Sequence, residues 1–242
     1  MVTLLPLQFL QGILTLIFVV ISIIIGLLII QRYFKFKQTQ LLLVGITWIL
    51  LISPYWPDAL TFLSILIIDT ELIDPVYFFL ANALLPPLYY TWGTAFANFV
   101  LKDKSKNLVL AFFVVIGLIF ETSFLGVYII NFNLIGTRIT PFYVEWALFV
   151  DIFLIISILM FTITGIIFSI RALKSSDKSV HLKGIFLLIA FLTFAIGTSI
   201  DVIFTLSEIT LVLARSFVII GSISFYLGFT MPKFLKRALI KD

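Results

Sequence analysis

Between Phe9 and Ile30 the sequence runs 22 residues without a charged side chain. As a helix that stretch rises about 33 Å, close to the thickness of bilayer hydrocarbon. Six more apolar segments follow it: Leu41 to Trp56, Val76 to Leu101, Leu108 to Ile130, Phe142 to Ile170, Ile185 to Leu206 and Ile209 to Met231. A chain of 242 residues that is 62% hydrophobic and 12% charged cannot cover a water-soluble core with polar groups. The composition excludes a soluble enzyme, a disordered chain and a nucleic-acid-binding domain. It predicts an all-α, polytopic membrane protein: a single seven-transmembrane-helix bundle over residues 1–242, multi-pass in the cell membrane.

The second segment is the short one. Its strictly apolar part has 16 residues and ends at Ser53-Pro54-Tyr55-Trp56-Pro57-Asp58. Two prolines there remove backbone donors and bend or stop a helix. Ala59 to Ile68 then reads either as a helix at the outer interface or as a kinked extension of the span.

Basic residues set the orientation. Arg32, Lys35 and Lys37 follow the first span, and Lys102, Lys104 and Lys106 the third. Arg171, Lys174, Lys178 and Lys183 follow the fifth; Lys233, Lys236, Arg237 and Lys241 follow the seventh. These are 14 of the 16 basic residues, in alternate connections of a seven-span count and so on one side. The expected topology is N-terminus out and C-terminus in. No charged n-region precedes the first span, so it reads as a retained helix and not as a cleaved signal. Residues 232–241 interleave Phe234, Leu235, Ala238 and Leu239 with basic residues. That pattern predicts a short amphipathic helix on the inner surface, or simply a positive anchor.

Local punctuation agrees with the count. Asp74-Pro75 and Thr140-Pro141 each read as an N-cap followed by proline, opening the third and fifth spans. Pro86-Pro87 interrupts the third span and predicts a hinge or a static kink. Gly26 to Arg32 and Gly165 to Arg171 share a spacing near the ends of the first and fifth spans, a hint of a parallel repeat.

Ionisable side chains inside a span cost at least ~2.5–3.5 kcal/mol each, so they point to function or to pairing. Counted at 1.5 Å per residue, Arg215, Asp201 and Asn82 lie ~8–9 Å below the outer end of their spans, and Asp151 and Glu121 ~14 Å. The inner half is apolar by contrast, and the outer loops carry Asp58, Asp69, Glu71 and Asp74. This asymmetry predicts an outward-facing polar pocket. In one reading Arg215 meets an anionic ligand group there while Asp201, Asp151 and Glu121 position it or bind a cationic part, with Asn82 a further ligand-binding candidate. In the other Arg215 pairs with Asp201 or Glu208 and ties the sixth span to the seventh, because buried charges must be paired whatever the function.

Absences narrow the chemistry. With no cysteine and one histidine, His181, the chain cannot assemble a thiolate, multi-histidine zinc, haem or iron–sulfur site. His181 falls in a basic loop and reads as a solvated side chain. Ser216 to Ser222 holds no lysine for a retinal Schiff base. No catalytic motif and no cofactor are implied, and no metal site.

Ser53-Pro54-Tyr55-Trp56-Pro57, Leu182-Lys183-Gly184-Ile185-Phe186-Leu187-Leu188, Tyr226-Leu227-Gly228-Phe229 and Pro232-Lys233 together resemble uncharacterised seven-helix membrane proteins of archaea. The layout is similar to the seven-helix sensor module that precedes some membrane histidine kinases, though this sequence reaches Asp242 without a transmitter. The strings are not catalytic motifs, so the resemblance carries over no functional residue. It implies a sensing role by analogy. The expectation is a receptor- or sensor-like protein with an outward-facing ligand pocket and no output domain of its own. The alternative is a small solute or proton-coupled transporter using intramembrane carboxylates. The implied partners are the lipid bilayer, a small outer-side ligand and a cytoplasmic signalling protein, not nucleic acid.

Overall fold

The computed structural model describes residues 2–203 and 207–239. The expected end of the sixth span at Leu206 and the basic residue Lys241 lie outside them. Ten α-helices and one hairpin make up the described chain.

Pro6 opens α1 (Pro6–Phe36), and the Gln8 side chain accepts the Leu5 amide at 2.9 Å, which caps the first turn. The second span is a bent unit: α2 (Thr39–Leu51), a 3-10 turn at Ser53–Tyr55, then α3 (Trp56–Ile68). Pro54 and Pro57 sit where each new helical segment starts, the position that tolerates a missing amide. Of the two sequence readings of Ala59 to Ile68, the structure takes the kinked extension.

The segment expected as a third span is broken, not merely kinked, and neither half is among the helices long and apolar enough to cross a membrane. The first half, α4 (Asp74–Asn82), and the second, α5 (Pro86–Val100), are separated by residues 83–85. The break satisfies itself locally: the Leu85 amide donates to Asn82 O at 3.2 Å and the Leu88 amide to Leu85 O at 3.0 Å. Asp74 lies in the first turn of α4 and does not cap it; Ile73 holds the N-cap position.

The chain then runs through α6 (Asp103–Asn131), β1 (Gly136–Thr140), β2 (Tyr143–Trp146), α7 (Leu148–Leu173), α8 (Lys178–Ile203), α9 (Glu208–Thr230) and α10 (Lys233–Leu239). The hairpin corrects the expectation of a helix from Phe142. Thr137, Ile139, Tyr143, Val144 and Trp146 are β-branched or aromatic, and burial alternates with period two, with Val144 buried and its neighbours Tyr143 and Glu145 exposed. Thr140-Pro141 therefore forms the hairpin turn and not a helix start, and the Ala147 amide closes the hairpin on Ile135 O at 2.8 Å. The helix of this span begins at Leu148.

Six helical segments among the described residues are long and apolar enough to cross a membrane: α1, the α2–α3 unit, α6, α7, α8 and α9. Their outer faces are aliphatic. Ile17, Val20, Ile24 and Leu27 point outward from α1, and Leu108, Phe112, Val115 and Ile119 from α6. The interior carries paired hydroxyls instead, with Ser22 to Ser222 at 2.9 Å and Tyr89 to Ser157 at 2.8 Å. An apolar exterior around a partly polar interior suits hydrocarbon and not water.

Backbones approach closely where glycine permits it. A Cβ on Gly45 would stand 2.7 Å from Gly26 O, so these two glycines set the α1–α2 distance. At the centre, Trp48 stacks on Phe225 at 4.0 Å, with Phe161, Phe194, Trp92 and Phe191 around them.

Candidate functional site

Two arginines lie buried at the end of the bundle that carries the hairpin, each held by a different set of helices. Arg215 is on α9, two turns from its Ser207 cap. Its Nη1 meets Asp201 Oδ2 of α8 at 2.5 Å, and its Nε donates to Thr15 Oγ1 of α1 at 3.1 Å. Tyr55, in the turn between α2 and α3, donates its hydroxyl to the same Asp201 oxygen at 2.8 Å, and the guanidinium lies 4.9 Å from its ring centre. Four segments thus converge on one ion pair. The Arg215 side chain is 3% exposed and that of Asp201 14%. A charge so nearly dehydrated needs this full set of partners to be tolerated.

Arg138, on β1, is the second. Nη2 contacts Glu71 Oε2 and Nη1 contacts Asp74 Oδ1, both at 3.2 Å; Nη1 also donates to Leu72 O at 2.5 Å and Nη2 to Pro141 O at 2.8 Å. Its guanidinium covers the Tyr77 ring at 4.5 Å. The hairpin is therefore tied to the segment between α3 and α4. Asp58 joins the two centres. It is buried in the first turn of α3, it accepts a hydrogen bond from the Tyr77 hydroxyl, and both guanidiniums act on its charge. It is not the loop carboxylate that its flanking prolines suggest.

A cavity of about 100 Å³ adjoins the first centre. Its wall is almost wholly apolar, with Leu51, Leu85, Leu154 and Phe194, and it is edged by the hydroxyl-bearing Ser157 and Thr198 and by Asp201. Asp201 Oδ1 is buried and has no hydrogen-bond partner among the described residues. Pro54 and Leu85 both line the cavity, so it lies against both helix interruptions.

The remaining residues singled out in the sequence do not gather here. Asn82 is buried at the end of α4 and donates to Phe78 O at 3.0 Å, a local bond four residues back. Pro86 and Pro87 open α5 beside the break. Glu121 is half-buried on α6, with Oε2 buried and unpartnered among the described residues. Asp151 is half-buried in the first turn of α7, where the helix dipole favours a carboxylate. It is only three residues into that helix and so much shallower than a span from Phe142 would put it. Neither acid lines the cavity. Glu208 opens α9 and is not the partner of Arg215. His181 is exposed, with Nδ1 2.6 Å from Leu173 O.

Sequence reasoning passed over Thr15, Tyr55 and Tyr77. A tyrosine at helical depth near a buried charge was the available signal, masked by 27 phenylalanines and 8 tyrosines. Among the described residues no group of three histidine or acidic side chains could hold a metal ion. Comparison with known protein families, curated proteins and solved structures finds no match to this chain.

Proposed function

We propose that this chain is a seven-crossing integral membrane protein of the cell membrane, N-terminus outside and C-terminus inside, that acts as a receptor or sensor for a small, mainly apolar molecule bearing one hydrogen-bond donor. Two things support the topology. The broken α4–α5 pair supplies a seventh apolar path. And Arg32, Arg171 and Lys183, from the ends of α1 and α7 and the start of α8, line neighbouring clefts at one end, away from Arg138 and Arg215.

The observation that carries the receptor reading is the cavity beside Asp201. Asp201 edges its apolar wall, and Asp201 Oδ1 is buried without a partner among the described residues; a carboxylate in such a wall is the combination that recognises a donor on a small hydrophobic body. At about 100 Å³ it suits a single ring; a dry cavity of ~150 Å³ accepts benzene. Because it touches the Ser53–Tyr55 turn and the 83–85 break, an occupant bears on the two weakest points of the helical framework. Signal would pass to a cytoplasmic partner through the basic loops. The ligand in this reading meets Asp201 and not Arg215, which does not line the cavity and whose Nε and Nη1 are held by Thr15 and Asp201.

The test uses benzylamine and benzyl alcohol as probes on the purified full chain in neutral detergent, read by thermal unfolding. A ligand at ten times its Kd stabilises by about 1.4 kcal/mol. The expected result is stabilisation of the wild type and none for Ser157→Phe, which fills the cavity. No stabilisation of the wild type, or the same stabilisation of both, overturns the reading.

The transporter alternative needs a polar path past the centre. Phe194, at the cavity, contacts Trp48 at 5.5 Å, and Trp48 stacks on Phe225. This packed aromatic layer speaks against it.

A further inference from the structure

At the end of the bundle opposite the two buried arginines, two adjoining clefts of about 350 and 210 Å³ share the walls Gln38, Leu41, Lys183 and Phe229. Arg171 lines the larger cleft, Arg32 the smaller and Lys183 both. None of these three cations forms an ion pair among the described residues. Arg171 uses Nη1 on Val100 O, the last carbonyl of α5, which fixes its guanidinium at the rim, and its other donors have no partner among the described residues. Lys183 is half-buried in the field of Arg32 and Lys236. Asp177 is the acid that acts on it, but Asp177 Oδ1 accepts the Ser179 amide at 2.7 Å and closes its own helix turn.

The rest of the larger cleft is aromatic. Phe99 stacks on Phe168 at 4.9 Å, and Phe168 on Phe229 at 5.8 Å, a continuous ring surface leading away from the charges. Three cations lining adjoining clefts, with Asp177 the one acid acting on Lys183, leave a net positive charge there. The arrangement is stable when an anion sits among them, and the aromatic wall calls for an anion joined to a hydrocarbon chain.

We propose that this cleft is a specific site for an anionic phospholipid, its phosphate held by Arg32, Lys183 and Arg171 and one acyl chain lying along Phe99, Phe168 and Phe229. The proposal rests on the membrane-crossing character of the helices and is independent of the cavity beside Asp201. The same phosphate chemistry could come from free phosphate, and the experiment separates the two sources.

The purified full chain in neutral detergent is titrated with dioleoylphosphatidylglycerol, with dioleoylphosphatidylcholine and with inorganic phosphate, and bound lipid is counted by native mass spectrometry. One phosphatidylglycerol is expected to bind roughly tenfold or more tighter than phosphatidylcholine, on the scale of a contact or two between lipid charge and basic side chain. Millimolar phosphate should not displace it. The double variant Arg32→Gln/Lys183→Met should lose the preference, while Lys35→Gln/Lys174→Gln, which removes equal charge outside the cleft, should keep it. Equal binding of the two lipids by the wild type overturns the proposal without recourse to any variant. So does equal loss in both double variants, which means diffuse attraction, and so does displacement by phosphate, which means an anion site with no lipid component.

Discussion

The Arg215–Asp201 pair predicts a non-additive mutant cycle. Arg215→Met removes the cation and strands the Asp201 carboxylate with only the Tyr55 hydroxyl at 2.8 Å. Breaking a buried pair in this way costs about 3–5 kcal/mol. For a chain of this size, each kcal/mol moves the unfolding midpoint by about 2–4 °C, so a fall of about 6–20 °C is expected. Asp201→Leu strands the guanidinium instead, but Thr15 and the Tyr55 ring, 4.9 Å away, remain to hold it. A cation–π contact contributes about 0.5–2 kcal/mol, so this loss should be the smaller one. The double variant Arg215→Met/Asp201→Leu buries no charge, and well-packed apolar replacement of such pairs is often neutral or stabilising. It should unfold within about 1 kcal/mol of the wild type once the stranded Tyr55 hydroxyl is counted. Ser22→Ala is the scale marker: it removes an ordinary interhelical hydroxyl contact at 2.9 Å, and such contacts in membranes average about 0.6 kcal/mol. The assay is thermal unfolding in neutral detergent followed by circular dichroism. A double variant that loses the sum of the two single losses would refute the pairing argument, because the charges would then be held by something other than each other.

The second arginine predicts a local effect. Arg138→Gln should free the hairpin from Glu71, Leu72 O and Asp74, raising hydrogen exchange across Gly136–Trp146 by tenfold or more while the helices keep their protection; uniform exchange in both proteins would show that the hairpin is held elsewhere. Glycine contacts predict opposite signs at two sites. A Cβ at Gly197 would meet Ala214 O at 2.8 Å, and backbone cannot yield, so Gly197→Ala should push α8 from α9 and cost about 1–3 kcal/mol in unfolding. Gly126 has nothing within 4 Å of a Cβ, so Gly126→Ala should be neutral or stabilising by up to about 1 kcal/mol through helix propensity. Equal midpoints for the two variants would contradict the packing shown for α8 and α9.

The helices were legible because a bilayer demands uninterrupted apolar length; α1 and α6 extend over the runs seen in sequence, and α9 covers its run except Met231, its C-cap. The two proline sites were legible as interruptions, since a missing amide has few positions to occupy. The hairpin was not. Phe142, Tyr143, Val144 and Trp146 raise the apolar count of the helix that follows, and a four-residue alternation is too short to stand out beside a 26-residue helix. That error also placed Asp151 too deep. The pairing of Arg215 with Asp201 was one of two open readings, because equal depth on consecutive antiparallel helices brings such groups together. Thr15 and Tyr55 were out of reach, as they arrive from helices distant in sequence and carry no charge to signal the contact. Asp58 was misread for a related reason: prolines on either side suggest a loop, whereas the turn they build continues the span and buries the carboxylate under Tyr77.

A chain of aromatic rings joins the two ends of the bundle. Phe194 edges the cavity beside Asp201, Trp48 contacts it at 5.5 Å, Phe225 stacks on Trp48 at 4.0 Å, and Phe229 follows at 4.8 Å and forms a wall of the basic cleft. The rings come from α8, α2 and α9, and Phe161 of α7 contacts Trp48, Phe194 and Phe225. A solute crossing this layer would have to displace rings that are fully buried, so conduction would require the core to come apart. Information has a gentler route. Rings in close contact shift together when one is displaced, because a dense interior has no slack to absorb the movement. Contiguity alone does not establish coupling; that needs an element with two arrangements. The chain places its candidates for such an element, the Ser53–Tyr55 turn and the 83–85 break, at the wall of the cavity and not beside the basic cleft. On the receptor proposal the end with Arg215 is therefore where a change begins, and the basic cleft, once it holds the proposed lipid, is the footing against which it is felt.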